Sequence, residues 1–252
     1  MRSKNPANIR RGENGSRHEV PLREAGALVT GASRGIGLAI AGMLQELGAK
    51  VAICARDAKQ LDAAAAQLSS VGGTVFTQAA DVSRAADVER LVRTIEARLG
   101  TISISVNNAG IGLFGAVQER SEEEWDRVLD TNLKSVFLVS HAVIPGMIRR
   151  GGGDIINISS LAGRNALAGG ALYCASKWGL QGLTACMAED LREHGIRVAA
   201  VLPGSVATSF SSKPKDPSKA LLAEDVAHAV ATLVTQRPQS FISEIQLRPL
   251  RK

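Results

Sequence analysis

Cysteine, aromatic residues and long apolar runs are all scarce in this chain of 252 residues. The three cysteines, Cys54, Cys174 and Cys186, are an odd number without metal-ligand spacing, which argues against a disulfide framework and predicts no metal site. No apolar run reaches the roughly 18 residues that a membrane-spanning helix requires, and no apolar signal segment precedes the cysteines. These absences predict a soluble, cytoplasmic protein that does not contact a membrane.

Positive charge is concentrated at the start of the chain. The formal net charge is +6, and residues 1–23 hold six lysines or arginines against two glutamates, which accounts for most of it. We predict a disordered basic extension over residues 1–23 and a single dinucleotide-binding catalytic domain over residues 24–252. A domain so nearly neutral offers no basic face, so no nucleic-acid partner is expected.

Short apolar runs alternate with helical patterns from Gly26 onward. The candidate strands are residues 27–30, 50–55, 74–79, 102–107, 154–159, 197–202 and 241–247. Helices of ten residues or more between them require parallel strands joined by crossovers, which predicts an α/β fold with a Rossmann-type doubly wound sheet of about seven strands. Ligands bind such sheets at the carboxyl ends of the strands. The site is therefore expected beyond Thr30, Ala55, Asn107, Ser159 and Leu202.

The stretch "TGASRGIG" at 30–37 places three glycines between the first strand and a helix. Gly31, Gly35 and Gly37 allow a sharp turn and a close approach by a ligand, because no Cβ stands in the way. The unpaired N–H groups at the start of the helix suit a phosphate. A nucleotide-triphosphate loop is excluded, because Leu38 and Ala39 follow the last glycine. A tight turn without a ligand stays open as an alternative.

The tip of the second strand favours NADP(H) over NAD(H). A carboxylate there binds a ribose 2′-hydroxyl, whereas an arginine accepts a 2′-phosphate. This chain has Ala55 and then Arg56, while Asp57 is expected to cap the next helix. Arg34 in the glycine turn would add a second guanidinium at the same place. The alternative is that both arginines are surface residues unrelated to a cofactor.

The stretch "YCASK" predicts an acid/base pair. Tyr173 and Lys177 are four residues apart in a helical pattern, so they project from one face. A nearby ammonium would lower the pKa of the phenol from its ordinary value of about 10. Ser160, at the end of a strand, could donate to a substrate carbonyl oxygen. Taken singly, each residue could instead be a packed aromatic, a solvated charge or a cap.

In these motifs, and in their order, residues 25–249 resemble the short-chain dehydrogenase/reductase family, most closely bacterial 3-oxoacyl-carrier-protein reductases. The resemblance implies a catalytic tetrad of Asn132, Ser160, Tyr173 and Lys177. The cofactor-binding residues that the pattern and the resemblance together indicate are Gly31, Ser33, Arg34, Gly35, Ile36, Gly37, Arg56, Asp81, Val82, Asn108, Ala109, Gly110, Tyr173, Lys177, Pro203, Gly204, Val206 and Thr208.

The resemblance also implies roles for these residues. Tyr173 would donate a proton to a carbonyl oxygen, Lys177 would lower the phenol pKa and hold the nicotinamide ribose, and Asn132 would steady a water relay behind Lys177. Family members commonly pair two long helices, here near 121–147 and 173–194, so a homodimer or homotetramer is expected.

The substrate pocket is expected after the fourth, fifth and sixth strands. The residues available there are Leu113, Phe114, Arg164, Leu167 and Phe210. This mainly apolar set suits a small ketone or 3-oxoacyl thioester, with an anionic end near Arg164. Lys213, Lys215 and Lys219 could meet an acidic carrier or a phosphate, although such a run is more often solvated. Two alternative functions stay open: a dinucleotide-sensing protein, and a nucleic-acid-binding protein that acts through residues 1–23.

Overall fold

The structure is a computed structural model that describes residues 22–70, 75–210 and 216–250. The predictions for residues 1–21, for Lys213 and for Lys215 lie outside these described residues. In the described part of the chain no helix is both long and apolar enough to cross a bilayer.

One parallel sheet organises the described residues, with strand order β3-β2-β1-β4-β5-β6-β7. The strands are β1 (Gly26–Thr30), β2 (Lys50–Ala55), β3 (Val75–Ala79), β4 (Ile102–Asn107), β5 (Gly153–Ile158), β6 (Ile196–Pro203) and β7 (Glu244–Leu247). The order reverses at β1, which pairs with β2 on one side and with β4 on the other. The doubly wound sheet predicted from the alternating pattern is confirmed, and the crevice between β1 and β4 is where such folds bind ligands.

Helices cover both faces of the sheet. They are α1 (Gly35–Glu46), α2 (Ala58–Ser69), α3 (Ala85–Leu99), α4 (Glu122–Leu129), α5 (Ser135–Arg150), α6 (Ala171–Leu191) and α7 (Ala223–Val234). One core cluster joins α1, α2 and α7 to the sheet, and a second joins α3, α5 and α6 to it. The central strands β1 and β4 are buried on both faces, so the serines of β4 are buried together with its isoleucines.

Helix α3 illustrates how the sequence pattern directs this packing. Its buried residues are Val88, Leu91, Val92, Ile95 and Leu99, which follow the three- and four-residue spacing of one helix face. Each fully buried leucine of this kind contributes about 1.5–3 kcal/mol relative to an exposed one. The stripe therefore fixes which side of α3 meets the sheet.

The helix expected near 121–147 is interrupted. A π-helical turn over Asp130–Lys134 joins α4 to α5, and α5 continues to Arg150. Such a turn accommodates an extra residue in the helix and is frequent at functional sites. Asn132 lies in this turn and is fully buried. The interruption could not be predicted from helix propensity, because Asn132 in this turn binds Ile111 and Ser176, which are distant in the sequence.

Candidate active site

A cavity of about 940 Å³ lies at the carboxyl ends of the strands. It extends from the glycine turn, across the end of β4, to the loops that follow β5 and β6. Nearly all of the predicted cofactor-binding residues line it: Gly31, Ser33, Arg34, Gly35, Ile36, Arg56, Asp81, Val82, Asn108, Ala109, Gly110, Tyr173, Lys177, Pro203, Gly204, Val206 and Thr208. Ser160 lines it as well, so three of the four predicted catalytic residues, Ser160, Tyr173 and Lys177, share one cavity with the predicted nucleotide residues.

Gly37 does not line the cavity, and its predicted contact with a cofactor stays a prediction. A Cβ built on Gly37 would lie 2.5 Å from the Asn108 Nδ2 and 2.6 Å from the Gly31 carbonyl oxygen. These distances are shorter than any ordinary Cβ contact. The absence of a side chain therefore serves the close packing of α1 against the ends of β1 and β4.

The turn itself is shaped to accept an anion. Gly31 and Gly35 have positive φ angles of 64° and 57°, which favour glycine. Arg34 is the N-cap residue of α1, and its side chain makes no capping hydrogen bond. The first N–H groups of α1 are thus left without a side-chain acceptor beside residues that line the cavity. This is the arrangement that holds a pyrophosphate in dinucleotide-binding folds.

Hydrogen bonds between β1 and β4 fix the floor of the cavity. The Thr30 Oγ1 accepts from the backbone N–H groups of Asn108 and Ala109, at 3.0 and 3.1 Å. The Asn108 Nδ2 in turn donates to the carbonyl oxygens of Thr30 and Gly31, at 2.9 and 3.1 Å. These reciprocal bonds lock the glycine turn to the strand end that carries Gly110.

The end of β2 carries the features expected to select a 2′-phosphate. Asp57 accepts from the Gln60 backbone N–H at 3.1 Å and caps α2, so its carboxylate is engaged as predicted. Arg56 is exposed and makes no hydrogen bond or ion pair within the described part of the chain. The Arg34 guanidinium donates to the Ser209 hydroxyl in the loop after β6, and its predicted contact with a 2′-phosphate stays a prediction. The two residues are far apart in the sequence, so their spacing gave no sign that the Ser209 hydroxyl would lie within reach of Arg34.

Asp81 and Val82 line the cavity after β3. The Asp81 carboxylate accepts from the backbone N–H and the hydroxyl of Ser83, at 3.1 and 2.7 Å. The Asp81 N–H donates to the Asp87 carboxylate at 3.0 Å. The Asp81 carboxylate is thereby fixed at the wall where the resemblance places the adenine.

Lys177 is the most deeply buried charged group of the site. Its side chain is carried by α6 one turn after Tyr173, and the residue is only 4% exposed. The Nζ donates to the Ile158 carbonyl oxygen at 2.9 Å and lies 5.9 Å from the centroid of the Tyr173 ring. Burial lowers the pKa of Lys177 to about 8, because the charged form loses its hydration.

The pKa of Tyr173 moves in the direction opposite to the one predicted. Burial raises the pKa of the phenol, and a hydrogen bond with Ser160 opposes that rise without cancelling it. Lys177 was expected to lower the phenol pKa, but desolvation is the largest cause acting on that pKa in this structure. The prediction was wrong because spacing along a helix brings the two groups to one face without showing how little water reaches them.

Asn132 lies behind the cavity rather than in its lining. Its Oδ1 accepts from the Ile111 N–H at 2.8 Å, and its Nδ2 donates to the Ile111 carbonyl oxygen at 2.8 Å and to the Ser176 hydroxyl at 3.0 Å. Ser176 in turn donates to the Tyr173 carbonyl oxygen at 2.7 Å. The side chain predicted to steady a water relay is thus occupied by protein groups, and it ties the loop after β4 to the first turn of α6.

Three of the five predicted substrate-pocket residues line the cavity, namely Phe114, Leu167 and Phe210. The rings of Phe114 and Phe210 lie 5.5 and 5.8 Å, between centroids, from the ring of Tyr173. They are half exposed, so two aromatic surfaces flank the phenol.

Leu113 and Arg164 are not part of the cavity lining. Arg164 instead donates to the Glu244 carboxylate at 2.6 Å, so its charge is already paired at the start of β7. Sequence analysis had no signal for this pair, because the two residues are far apart in the chain. Lining residues that it missed include Ile111, Leu161, Asn165, Ser209 and Arg248. Arg248 could have been found by extending the carboxyl-end rule to β7.

Comparison with known proteins adds an independent finding. A family model described as short chain dehydrogenase matches residues 25–219. Dehydrogenase/reductase SDR family member 4 of Oryctolagus cuniculus is 41% identical over 192 residues, which cover 76% of this chain and 74% of that protein. A 3-oxoacyl-(acyl-carrier-protein) reductase of Staphylococcus epidermidis is 36% identical over 223 residues, which cover 84% and 91% respectively. The structure of a metagenomic short-chain oxidoreductase in complex with NADP is 44% identical, with a TM-score of 0.82 and coverage of 91% of this chain and 99% of that one.

Proposed function

The chain belongs to the short-chain dehydrogenase/reductase family, and from this premise we propose that it is an NADP(H)-dependent oxidoreductase that reduces the carbonyl group of a ketone or aldehyde. The observation that carries the proposal is the convergence of Ser160, Tyr173 and Lys177 on the cavity that also contains the glycine turn. A dinucleotide-sensing protein is the alternative. A sensor has no need for a phenol, a hydroxyl and an ammonium together in one cavity.

The cavity fits NADP(H) on the evidence of its own residues. The glycine turn and the uncapped start of α1 suit a pyrophosphate, and Arg56 at the tip of β2 suits a 2′-phosphate. Pro203, Gly204, Val206 and Thr208 would hold the nicotinamide end, and Lys177 the nicotinamide ribose. When bound, NADPH supplies the hydride that the carbonyl carbon receives.

The protein residues would supply the proton and the orientation. The Tyr173 hydroxyl donates its proton to the carbonyl oxygen, which becomes the hydroxyl of the product alcohol. The Ser160 hydroxyl donates a hydrogen bond to the same oxygen and holds it toward Tyr173. The Lys177 ammonium stabilises the phenolate that remains. Asn132 is a positioning residue, because it acts through Ile111 and Ser176.

The aromatic and aliphatic wall supports a substrate with an apolar body. Phe114, Leu167 and Phe210 offer no charge to a ligand, and the cavity is large enough for a medium-sized carbonyl compound beside the cofactor. We therefore propose 3-oxoacyl thioesters or similar small ketones as substrates. The similarity to a 3-oxoacyl-(acyl-carrier-protein) reductase supports this class.

The test is the loss of NADPH absorbance with a panel of carbonyl compounds. The panel contains acetoacetyl thioesters, β-keto esters, diketones, aldehydes, sugars and steroids, with the apolar ketones and thioesters expected to react fastest. Binding of NADPH without turnover of any compound would favour the sensing protein. Faster turnover of sugars than of thioesters would reject the proposed substrate class while leaving the oxidoreductase in place.

Arg56→Ala is expected to narrow the preference for NADPH over NADH by about 1–3 kcal/mol, or roughly fivefold to 150-fold. This is the range for losing a charge-assisted hydrogen bond to the 2′-phosphate. Dissociation constants for both cofactors, from quenching of protein fluorescence, measure the gap directly. Arg237→Ala is the matched control, because Arg237 is an exposed arginine outside the cavity. Equal affinities for the two cofactors in the unmodified protein would contradict the assignment.

We propose that the protein assembles as a homodimer or homotetramer through α4, α5 and α6. Trp125, Phe137 and Trp178 on these helices are large apolar side chains that are about half exposed. Light scattering at micromolar concentration is expected to give a multiple of the monomer mass, and Phe137→Glu is expected to lower it. A monomeric unmodified protein would refute the proposal. The cytoplasmic location stays a prediction.

A further inference from the structure

We propose that Arg248 binds an anionic group of the substrate, so that the enzyme prefers carbonyl compounds bearing a carboxylate, sulfonate or phosphate several bonds from the reacting carbonyl. The inference rests on the proposed reductase function and refines its substrate class. Arg248 takes the role of substrate-binding cation that the sequence had suggested for Arg164.

The backbone around Arg248 is anchored against the nicotinamide side of the cavity. Leu247 ends β7 and lies in register with Pro203 of β6. The Gly204 N–H donates to the Leu247 carbonyl oxygen at 2.9 Å. A Cβ on Gly204 would lie 3.2 Å from the Pro249 Cδ and 3.2 Å from a Leu161 methyl carbon. Arg248 is thus flanked by residues packed onto the segment that follows β6.

The charge of Arg248 has no ionic partner among the residues that the structure describes. Arg248 is one of the residues that line the active-site cavity, is exposed, and forms no hydrogen bond or ion pair with any residue in the described ranges. Arg248 also borders a smaller cavity lined by Asp225 and His228. The Asp225 carboxylate there accepts from the Leu222 N–H at 2.8 Å and caps α7, without forming an ion pair with Arg248. By contrast, Arg164 is paired with Glu244.

The strand order separates Arg248 from the phosphates of the cofactor. Adjacent strands lie about 4.8 Å apart, so the end of β7 is about 24 Å from the end of β2, where Arg56 lies. It is about 19 Å from the end of β1, where the glycine turn begins, but only about 10 Å from the end of β5, which leads to Ser160. An anion at Arg248 therefore belongs to the substrate, at some distance from the carbonyl.

Arg248 also lies outside residues 25–219, the part of the chain that matches the family model. The residues that form the glycine turn and the catalytic set all lie inside that range. Arg248 is thus a position at which this chain can differ in substrate choice from relatives that share its chemistry.

The test compares charged and neutral substrates that share a reacting carbonyl. The first pair is 7-oxooctanoate and its methyl ester. The second is acetoacetyl-coenzyme A and the acetoacetyl thioester of N-acetylcysteamine, which separates phosphate from carboxylate recognition. Arg248→Gln is expected to lower kcat/KM about tenfold for the charged member of at least one pair and less than twofold for the neutral members. Arg248→Lys should retain part of the preference, and Arg237→Gln controls for the lost net charge.

A second measurement is independent of turnover. Calorimetric titration of the NADP⁺-loaded protein with 7-oxooctanoate and with acetoacetyl-coenzyme A is expected to give binding that Arg248→Gln weakens about tenfold. Equal loss for charged and neutral compounds would overturn the inference, as would no loss at all or a raised KM for NADPH in Arg248→Gln. Failure of every carbonyl compound to react would instead reject the reductase, and the titration alone would then decide whether Arg248 binds anions.

Discussion

Tyr173→Phe is expected to lower kcat for carbonyl reduction by about 10²–10⁴-fold, the usual contribution of a positioned general acid. The substitution removes only the hydroxyl that hydrogen-bonds with Ser160 and leaves the ring between Phe114 and Phe210. The affinity for NADPH is therefore expected to change little. Steady-state rates with the fastest substrate of the panel, together with NADPH fluorescence titration, measure both quantities.

Phe114→Leu is a useful control for this variant. It alters an aromatic neighbour of Tyr173 but keeps the phenol, so it should change KM more than kcat. A Tyr173→Phe protein that keeps most of the activity would remove the proton-donor assignment, although the oxidoreductase itself would stand.

The chain's single tyrosine makes the protonation of Tyr173 directly observable. Absorbance of phenolate in an alkaline titration reports on this residue alone. Because burial raises the pKa of Tyr173, its ionisation is expected above the ordinary value of about 10. The proton donor is thus held in its protonated form at neutral pH, which is the form that carbonyl reduction requires.

The sheet could be predicted from the sequence because its determinants are local. Residues 50–55 and 102–107 are short segments rich in valine and isoleucine between helical patterns, and the structure places β2 and β4 at those bounds. The parallel order then follows from the length of the connections. The glycine turn could also be predicted from the sequence. Gly31 and Gly35 have positive φ angles, which few residues other than glycine adopt.

Contacts between distant segments could not be predicted in this way. The pairing of Arg164 with Glu244, and of Arg34 with Ser209, depends on which long side chains meet across loops. The same limit applies to Asn132, whose partner Ile111 lies 21 residues earlier in the chain. Sequence analysis thus identified which strand ends carry the site, but not which charges there are already paired.

Burial was the other quantity missing from the sequence. Lys177 is enclosed by α6 and by the end of β5, and among the described residues its Nζ has one hydrogen-bond acceptor, the Ile158 carbonyl oxygen. An ammonium in that position loses hydration that one hydrogen bond does not replace. The site therefore stores an electrostatic cost in its ground state, and the ribose hydroxyls of a bound cofactor are suitable acceptors to offset it.

This cost has a defined dependence on pH. The pKa of Lys177 is about 8 in the folded protein and about 10.5 when exposed, so the unfolded chain binds more protons between these values. The stability of the folded protein therefore rises with pH from about 8 to about 10.5. Below pH 8 the folded protein carries the whole cost of the buried ammonium. The difference between a pKa of about 10.5 and one of about 8 corresponds to about 3 kcal/mol of lost stability.

Lys177→Met is expected to lower kcat by about 10²–10³-fold, the range for removing one preorganised electrostatic group, and yet to stabilise the protein at pH 7. Methionine fills a similar volume without charge, so the cost of the buried ammonium disappears, while the lost hydrogen bond to Ile158 returns about 1–2 kcal/mol of it. Urea unfolding should show a gain of about 1–2 kcal/mol at pH 7 that shrinks as the pH rises above 8. Lys59→Met, at an exposed lysine of α2, should leave both activity and the pH dependence of stability unchanged. Lower stability of Lys177→Met at pH 7, or a gain in stability that does not depend on pH, would show that the buried ammonium carries no such cost. Retained activity would show that Lys177 is not a catalytic residue.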